Sequence, residues 1–342
     1  MIGNNRNIQI RRIFRQNESY LFLVVIAYST LITSLNPSFL SLENLFDLGK
    51  SSAGMGILAI GVFIVLLSGG IDISFAAIAI SGQYIAANVL ITTGIDNIFF
   101  AFLISCSVGI ALGAINGLLI SSFKIPTLIA TLGTLSVFHG ALLTIVGSKA
   151  INSAQLPDCF KIFGAKDVLI LTKANGINYG LSIFTLIFIA VALLTWFFLK
   201  HTMLGRGIYA IGGDINAAAR SGFNIAKIQF FIYCYVGFLA GIAGVLHISL
   251  IRYSNPTYIV GTELSVIAAV VLGGTRITGG SGTIIGTIMG VAMVTILNNS
   301  LILVGLSSYW QNFFVGLIIV ISVSFTSYQS KRGIGSIILN RN

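Results

Sequence analysis

The sequence predicts an all-α, polytopic membrane protein: about ten transmembrane helices in two pseudo-repeated halves, both termini cytoplasmic. Three observations predict it. Of 342 residues, 56% are hydrophobic and only 8% charged, with a mean hydropathy of +0.98. A soluble domain carries about 25% charged residues, so this chain cannot cover a water-facing surface. Lys and Arg fall unevenly among the segments that join the apolar stretches, and two of those stretches carry similar glycine breaks.

A membrane-crossing helix needs about 20 mostly apolar residues. Such stretches lie near 20–36, 53–70, 73–92, 98–122, 126–147, 180–199, 226–249, 263–274, 282–304 and 309–326. Short Gly-rich breaks part the second from the third and the eighth from the ninth, so each of these four is a full span or a broken, re-entrant one. Arg6, Arg11, Arg12 and Arg15 run straight into the apolar Tyr20–Leu35, as in a secretory signal. No small-residue cleavage site follows and many spans come after, so the stretch reads as an uncleaved first helix. Residues 1–19 and 327–342 then read as cytoplasmic ends flanking a membrane domain over 20–326.

Orientation follows from where Lys and Arg fall. With the N-terminus inside, the inner segments carry 13 of the 19: Arg6, Arg11, Arg12, Arg15, Lys124, Lys200, Arg206, Arg220, Lys227, Arg276, Lys331, Arg332 and Arg341. The outer segments carry Lys50, Lys149, Lys161, Lys166, Lys173 and Arg252, four of them in the longer loop 148–179.

The net charge of +10 does not imply a nucleic-acid partner, because the basic residues sit between apolar stretches rather than on one polar and aromatic face. Cys106, Cys159 and Cys234 have no metal-ligand spacing, and an odd trio makes no disulfide framework. Gly49-Lys50-Ser51 looks like the end of a phosphate loop, but Asn44 stands where the required glycine belongs. Neither HExxH nor GxSxG occurs. The chain is therefore expected to be no enzyme, with neither cofactor nor metal of its own.

The first break reads Leu67-Ser68-Gly69-Gly70-Ile71-Asp72-Ile73-Ser74 and the second Leu272-Gly273-Gly274-Thr275-Arg276-Ile277-Thr278-Gly279-Gly280. Each is an apolar span, a double glycine, then a span rich in small residues. Matching glycine interruptions in two halves point to repeat-built transporters, although 38 glycines also yield such matches by coincidence. Gly282, Gly286 and Gly290 recur at i, i+4 and i+8, a stripe expected to pack against a helix ahead of lining a pore.

Ionisable residues at bilayer depth are functional candidates, and here they are few: Asp72, His139, His247 and Glu263. Asp72 and Glu263 are expected at interfaces, capping the helices that follow, and His139 as a hydrogen-bonded core residue. So few carboxylates argue against an ion-coupled carrier. Ser74, Asn116, Thr127, Thr131, Thr134, Asn298 and Asn299 supply neutral polar groups, with the three threonines on one helical face. They suit a path for an uncharged, hydroxyl-rich solute, or equally hydrogen bonds between helices.

The longest inner connection, 200–225, contains Asp214 placed to cap a short helix over 215–221, which Gly222 ends. Its Ala217-Ala218-Ala219 surface is small and flat, suited to a partner's groove.

Here the chain resembles a known family. Gly205-Arg206, Tyr209-Ala210, Gly212-Gly213-Asp214 and the Ala-rich turn to Ser221-Gly222 look like the coupling loop of permeases in the ribose/xylose/autoinducer-2 class of ABC importers. Ser68–Ser74, Asn116–Ile120 with Ile125–Thr134, and Glu263-Leu264 through Gly274 resemble further motifs of that family, in family order over about 68–312. There are departures: Asp214 stands where Asn is usual, Arg220 lies one position late with Ala219 in its place, and Phe75 fills a site more often small.

The resemblance implies a sugar-transport permease in the bacterial plasma (inner) membrane. It works as two permease copies, or two paralogues, with cytoplasmic ATP-binding-cassette ATPases that bind ATP and Mg and an extracytoplasmic solute-binding protein. Arg206, Asp214, Ala217, Ala218, Ala219, Arg220 and Gly222 would couple to the ATPase. Asp72, Ser74, Phe75, Asn116, Thr127, Thr131, Thr134, Asn298 and Asn299 would line the pathway of a monosaccharide or similar polyhydroxyl solute. The alternatives are an ion-coupled secondary carrier, a membrane-embedded enzyme and a passive channel.

Overall fold

Several helix starts in this chain are set by short polar caps, and several helix ends by glycine. In a computed structural model, Ser41, Asn97, Ser182, Thr202 and Asn224 each accept a hydrogen bond from a backbone N–H two or three residues on, filling orphan donors of the first turn. The structure describes residues 17–172 and 178–303, with 310, 313, 314, 316, 317 and 320. The predicted tail 327–342, residues 1–16 and most of the tenth stretch lie outside the described residues.

The helices in order are α1 (Asn17–Leu35), α2 (Leu42–Leu67), α3 (Phe75–Thr93), α4 (Ile98–Ser121), α5 (Thr127–Val146) and α6 (Asp158–Ala165). A hairpin of β1 (Asp167–Thr172) and β2 (Asn178–Ser182) follows. Then come α7 (Ile183–His201), α8 (Met203–Gly213), α9 (Ile215–Arg220), α10 (Ile225–Ile251), α11 (Glu263–Leu272) and α12 (Ile284–Leu303). Seven of them, α2, α3, α4, α5, α7, α10 and α12, are long and apolar enough to cross a membrane.

One expected boundary needs correction, and two open points of the sequence reading are resolved. The second stretch is not a span from 53 but a 26-residue helix from Leu42; Glu43, Asp47 and Lys50 in its first turns had hidden that start from a hydropathy reading. The eighth stretch is only the ten-residue α11; at 1.5 Å per residue it rises about 15 Å, half a hydrocarbon core. The described part of the loop 148–179 holds α6 and strand β1, which pairs antiparallel with β2 from Thr172↔Asn178 to Asp167↔Ser182 across one bulge.

Burial sorts the helices into layers. In α2 and α3, 72% of the apolar window is buried and in α10, 61%, against 22% in α4 and 28% in α5. The first three form the core, and α4, α5 and α7 present Leu103, Ile110, Ile129, Val137 and Leu194 outward. α4 crosses α10 backbone to backbone: a Cβ at Gly109 or Gly113 would strike the carbonyls of Gly237 and Tyr233. The predicted stripe on α12 is such a seam, with Gly286 against Gly273 and Gly290 against Ala269 of α11.

The connections gather at two ends. At one, Cys159 N–H donates to Asp96 (2.7 Å), Tyr84 to the Lys149 carbonyl (2.9 Å), and Ile151 pairs with Ser254. At the other, the breaks at 68–74 and 273–283 meet the segment 202–224. The described Lys and Arg divide six to five between these ends, so the thirteen-to-six bias rests on terminal residues outside the described ones.

Candidate functional site

The first break is held by side chains. Asp72 Oδ1 accepts from the backbone N–H and the hydroxyl of Ser74, both at 2.7 Å, and Asn116 of α4 donates its amide to Ser74 Oγ at 2.7 Å. All three residues are buried, as is Phe75 at the start of α3. Thr127 of α5 accepts from the N–H of Ile71 (3.1 Å), and Thr131 donates to the carbonyl of Ile71 (3.2 Å). Two threonine hydroxyls thus satisfy both backbone groups of a residue that has left its helix, which buried backbone requires. Thr134 donates within α5 to Thr131 O.

The two breaks stop their helices the same way. Gly69 (φ 82°) donates to Leu66 O and Gly70 to Val65 O; Gly274 (φ 89°) donates to Val271 O and Thr275 to Val270 O. Both are left-handed Schellman stops, 205 residues apart by subtraction of these numbers. They also meet: Gly280 N–H donates to Leu67 O at 2.9 Å and Gly279 abuts Gly69.

The segment 202–224 docks on that meeting point. Thr202 caps α8, whose Gly212 lies so close to Leu67 O and Gly280 N that a Cβ would strike both. Tyr209 of α8 donates to Gly282 O at 3.3 Å, and burial pushes its hydroxyl pKa up. Asp214 then caps α9, accepting from Asn216 and Ala217 N–H (2.8 and 3.1 Å), and Gly222 (φ 86°) follows. Within α9 only Ala218 is buried; Ile215, Ala217, Ala219 and Arg220 are exposed, as is Arg206. A groove of about 290 Å³ between Ser68, Thr127, Gly212, Ile215 and Gln229 joins this segment to the first break.

Near the opposite end lies a cavity of about 350 Å³, bounded by α2, α3, α7, α10, α11, α12 and the loop before α11. Lys50, Ser51, His247, Tyr258 and Thr262 line it, with Asn298.

The residues named from sequence therefore separate. Asp72, Ser74, Asn116, Thr127 and Thr131 converge on the first break, with Phe75 packed beside them and Thr134 one turn along α5. Asn298 faces the distant cavity, while Asn299 donates to Asn44 Oδ1 (3.2 Å) at the start of α2. Asp72 and Glu263 are both buried within the protein, each just before or at the start of the helix it was expected to cap, and Glu263 accepts from Gly261 N–H (2.8 Å). His139, expected to be hydrogen-bonded, has a buried Nε2 without a partner. Sequence reasoning missed α8 and the lining role of Lys50, Tyr258 and His247, whose only signal was an imidazole at bilayer depth.

A helical bundle with two glycine-broken spans gripped by one loop is a transporter's arrangement, and the family model for the branched-chain amino acid transport system/permease component matches residues 44–323. The chain belongs to that permease family. The ribose import permease protein RbsC of Bacillus subtilis (strain 168) is 37% identical over 304 residues, 89% of either chain. RbsC of Escherichia coli (strain K12) is 32% identical over 314 residues, 91% of this chain and 93% of its own. The autoinducer 2 import system permease protein LsrC of Enterobacter sp. (strain 638) is 30% identical over 311 residues, 91% and 87% of the two chains. No solved structure matches. This is a multi-pass membrane permease, a transporter component rather than an enzyme.

Proposed function

We propose that this permease is the membrane subunit of an ATP-binding-cassette importer in the bacterial inner membrane and passes a monosaccharide or similar polyhydroxyl solute. Two copies, or two paralogues, work with cytoplasmic ATPases that bind ATP and Mg, and an extracytoplasmic binding protein delivers the solute. The 202–224 end faces the cytoplasm with both termini, α9 docks into the ATPase through Ala217, Ala219 and Arg220, and the first break with Asn298 lies along the solute's route.

The observation that carries this reading is the junction of α8 with both breaks through Gly212, Leu67 and Gly280. A push on the exposed α9 reaches, through one rigid helix, the two points where spans are unwound. Close-packed backbone has no rotamer freedom to absorb such a push. The Schellman stops shared by the two breaks support the two-halves reading, as does the restart of a small-residue helix after each. The names of the relatives, ribose and autoinducer 2 importers, support the solute class.

The test is uptake of labelled D-ribose by proteoliposomes holding the permease, its ATPase and its binding protein. ATP-dependent accumulation is expected. Uptake that follows a proton or sodium gradient and ignores ATP removes this reading in favour of a secondary carrier.

A further inference from the structure

The cavity near the 252–262 end carries a specific hydrogen-bonding pattern. Gln83 of α3, fully buried, donates its amide to Ser254 Oγ (2.9 Å), and its carbonyl Oε1 lies 3.0 Å from His247 Nδ1. With the amide oriented this way its carbonyl oxygen only accepts, so in the neutral imidazole Nδ1 carries the proton and Nε2 is left as an acceptor. Ser51 and Thr262 give their protons to Leu48 O and Ile259 O (3.2 and 2.7 Å), which leaves both hydroxyls with lone pairs to offer. Lys50 supplies donors from the same helix as Ser51.

Apolar surface faces these groups. The Lys50 ammonium stands 6.0 Å from the centre of the Phe184 ring, and the exposed Tyr258 ring stands 5.6 Å from that of His247. At Gly54 no atom lies within 4 Å of where a Cβ would be, so this face of α2 is open rather than packed.

Beside the Tyr258 and Ser265 hydroxyls and the Asn298 amide, which both donate and accept, an anion would meet three acceptors and the single cationic donor Lys50. A cation would meet Lys50 and, among the described lining residues, no carboxylate. A neutral molecule whose hydroxyls both donate and accept satisfies the set, with its C–H faces on the rings. The volume of about 350 Å³ lies at the small end of ligand sites, which span roughly 300–1,000 Å³.

We infer that this cavity is a solute subsite inside a single permease protomer, taking a neutral polyhydroxyl molecule of monosaccharide size. His247 Nε2 accepts one solute hydroxyl and Lys50 donates to another, while the Gln83–Ser254 pair acts as a positioning relay that fixes the imidazole tautomer. The inference deepens the importer reading and takes its place in the transport path from it.

Gly54→Cys tests it, because a thiol there enters open space. The full chain, with Cys159 and Cys234 replaced by Ala and Cys106 buried, is placed in lipid nanodiscs and labelled with a water-soluble maleimide. Labelling is expected to proceed and to slow several-fold in D-ribose, D-xylose or D-galactose, with no slowing in equimolar glycine betaine. Adding His247→Leu is expected to restore the full rate in sugar; Lys50→Met is the second variant should the first not insert. Absence of labelling, an unchanged rate in every sugar, or protection that survives both variants overturns the subsite. No ATPase is present, so protection without ATP-driven uptake leaves the subsite standing and removes the importer reading; uptake without protection does the reverse.

Discussion

The chain breaks out of helix where two of its apolar spans end, and the two breaks share a stop but differ in restart. Val65 to Gly70 and Val270 to Thr275 close with the same pair of backbone hydrogen bonds around a glycine of positive φ. After the first stop α3 resumes at Phe75, and the gap is pinned by side chains: Asp72 to Ser74, Asn116 to Ser74, Thr127 and Thr131 to Ile71. After the second, α12 resumes only at Ile284, and the gap is held mainly by backbone, with Arg276 N–H on Ser281 O, Gly279 on Arg276 O and Gly280 on Leu67 O. Side-chain locks fix a turn inside one body. Backbone contacts between elements let one element shift the next, and the second break is where α8 adds Tyr209 and Gly212.

The largest effect is expected at that contact. Gly212→Val puts a side chain onto Leu67 O and Gly280 N and should abolish transport while the protein still inserts. The adjacent Gly213→Ala, with nothing within 4 Å of its Cβ, should transport as wild type, so uptake by the pair tells a specific contact from general intolerance of the loop. Next comes the lock of the first break. Asp72→Ala strands the buried Ser74 donors, and thermal unfolding in detergent should show about 2 kcal/mol or more lost, with Asp72→Asn, which keeps Oδ1, losing less than half of that.

Smaller again are the shared stops: Gly69→Ala and Gly274→Ala each force a side chain into left-handed backbone, costing about 1–2 kcal/mol. Equal losses in unfolding would sharpen the equivalence of the breaks, and a loss at only one would break it. The smallest is Thr131→Val, expected near 0.6 kcal/mol, the typical value for a hydrogen bond between membrane helices.

Much of this frame was legible in the sequence because its signals are local. Apolar length marked the seven long helices, Asp214 and Gly222 marked α9, and the double glycines marked both stops. The start of α2 was not legible, since Glu43, Asp47 and Lys50 end the apolar run before the helix ends. Nor was α8, a short amphipathic helix holding Gly205, Gly207, Gly212 and Gly213. The threonine face at 127, 131 and 134 was visible as a spacing, but its partner is the backbone of Ile71, which no side-chain pattern encodes. The cavity joins Lys50, His247 and Tyr258 from positions 197 and 11 residues apart in sequence, and only the packing of α2 on α10 brings them together. The restarts were legible too, near 73 and 282 against Phe75 and Ile284, but what holds each gap depends on long-range contacts, so two similar glycine motifs gave no hint that one is locked by side chains and the other by backbone.

The most direct measurement sets ATP hydrolysis beside D-ribose uptake in proteoliposomes containing the permease, its ATPase and its binding protein, with wild type against Gly212→Val. If α8 carries the push from the ATPase to the two breaks, the variant hydrolyses ATP at a rate close to wild type and imports no ribose above background. Uptake by Gly212→Val equal to wild type, with hydrolysis unchanged, would contradict that role.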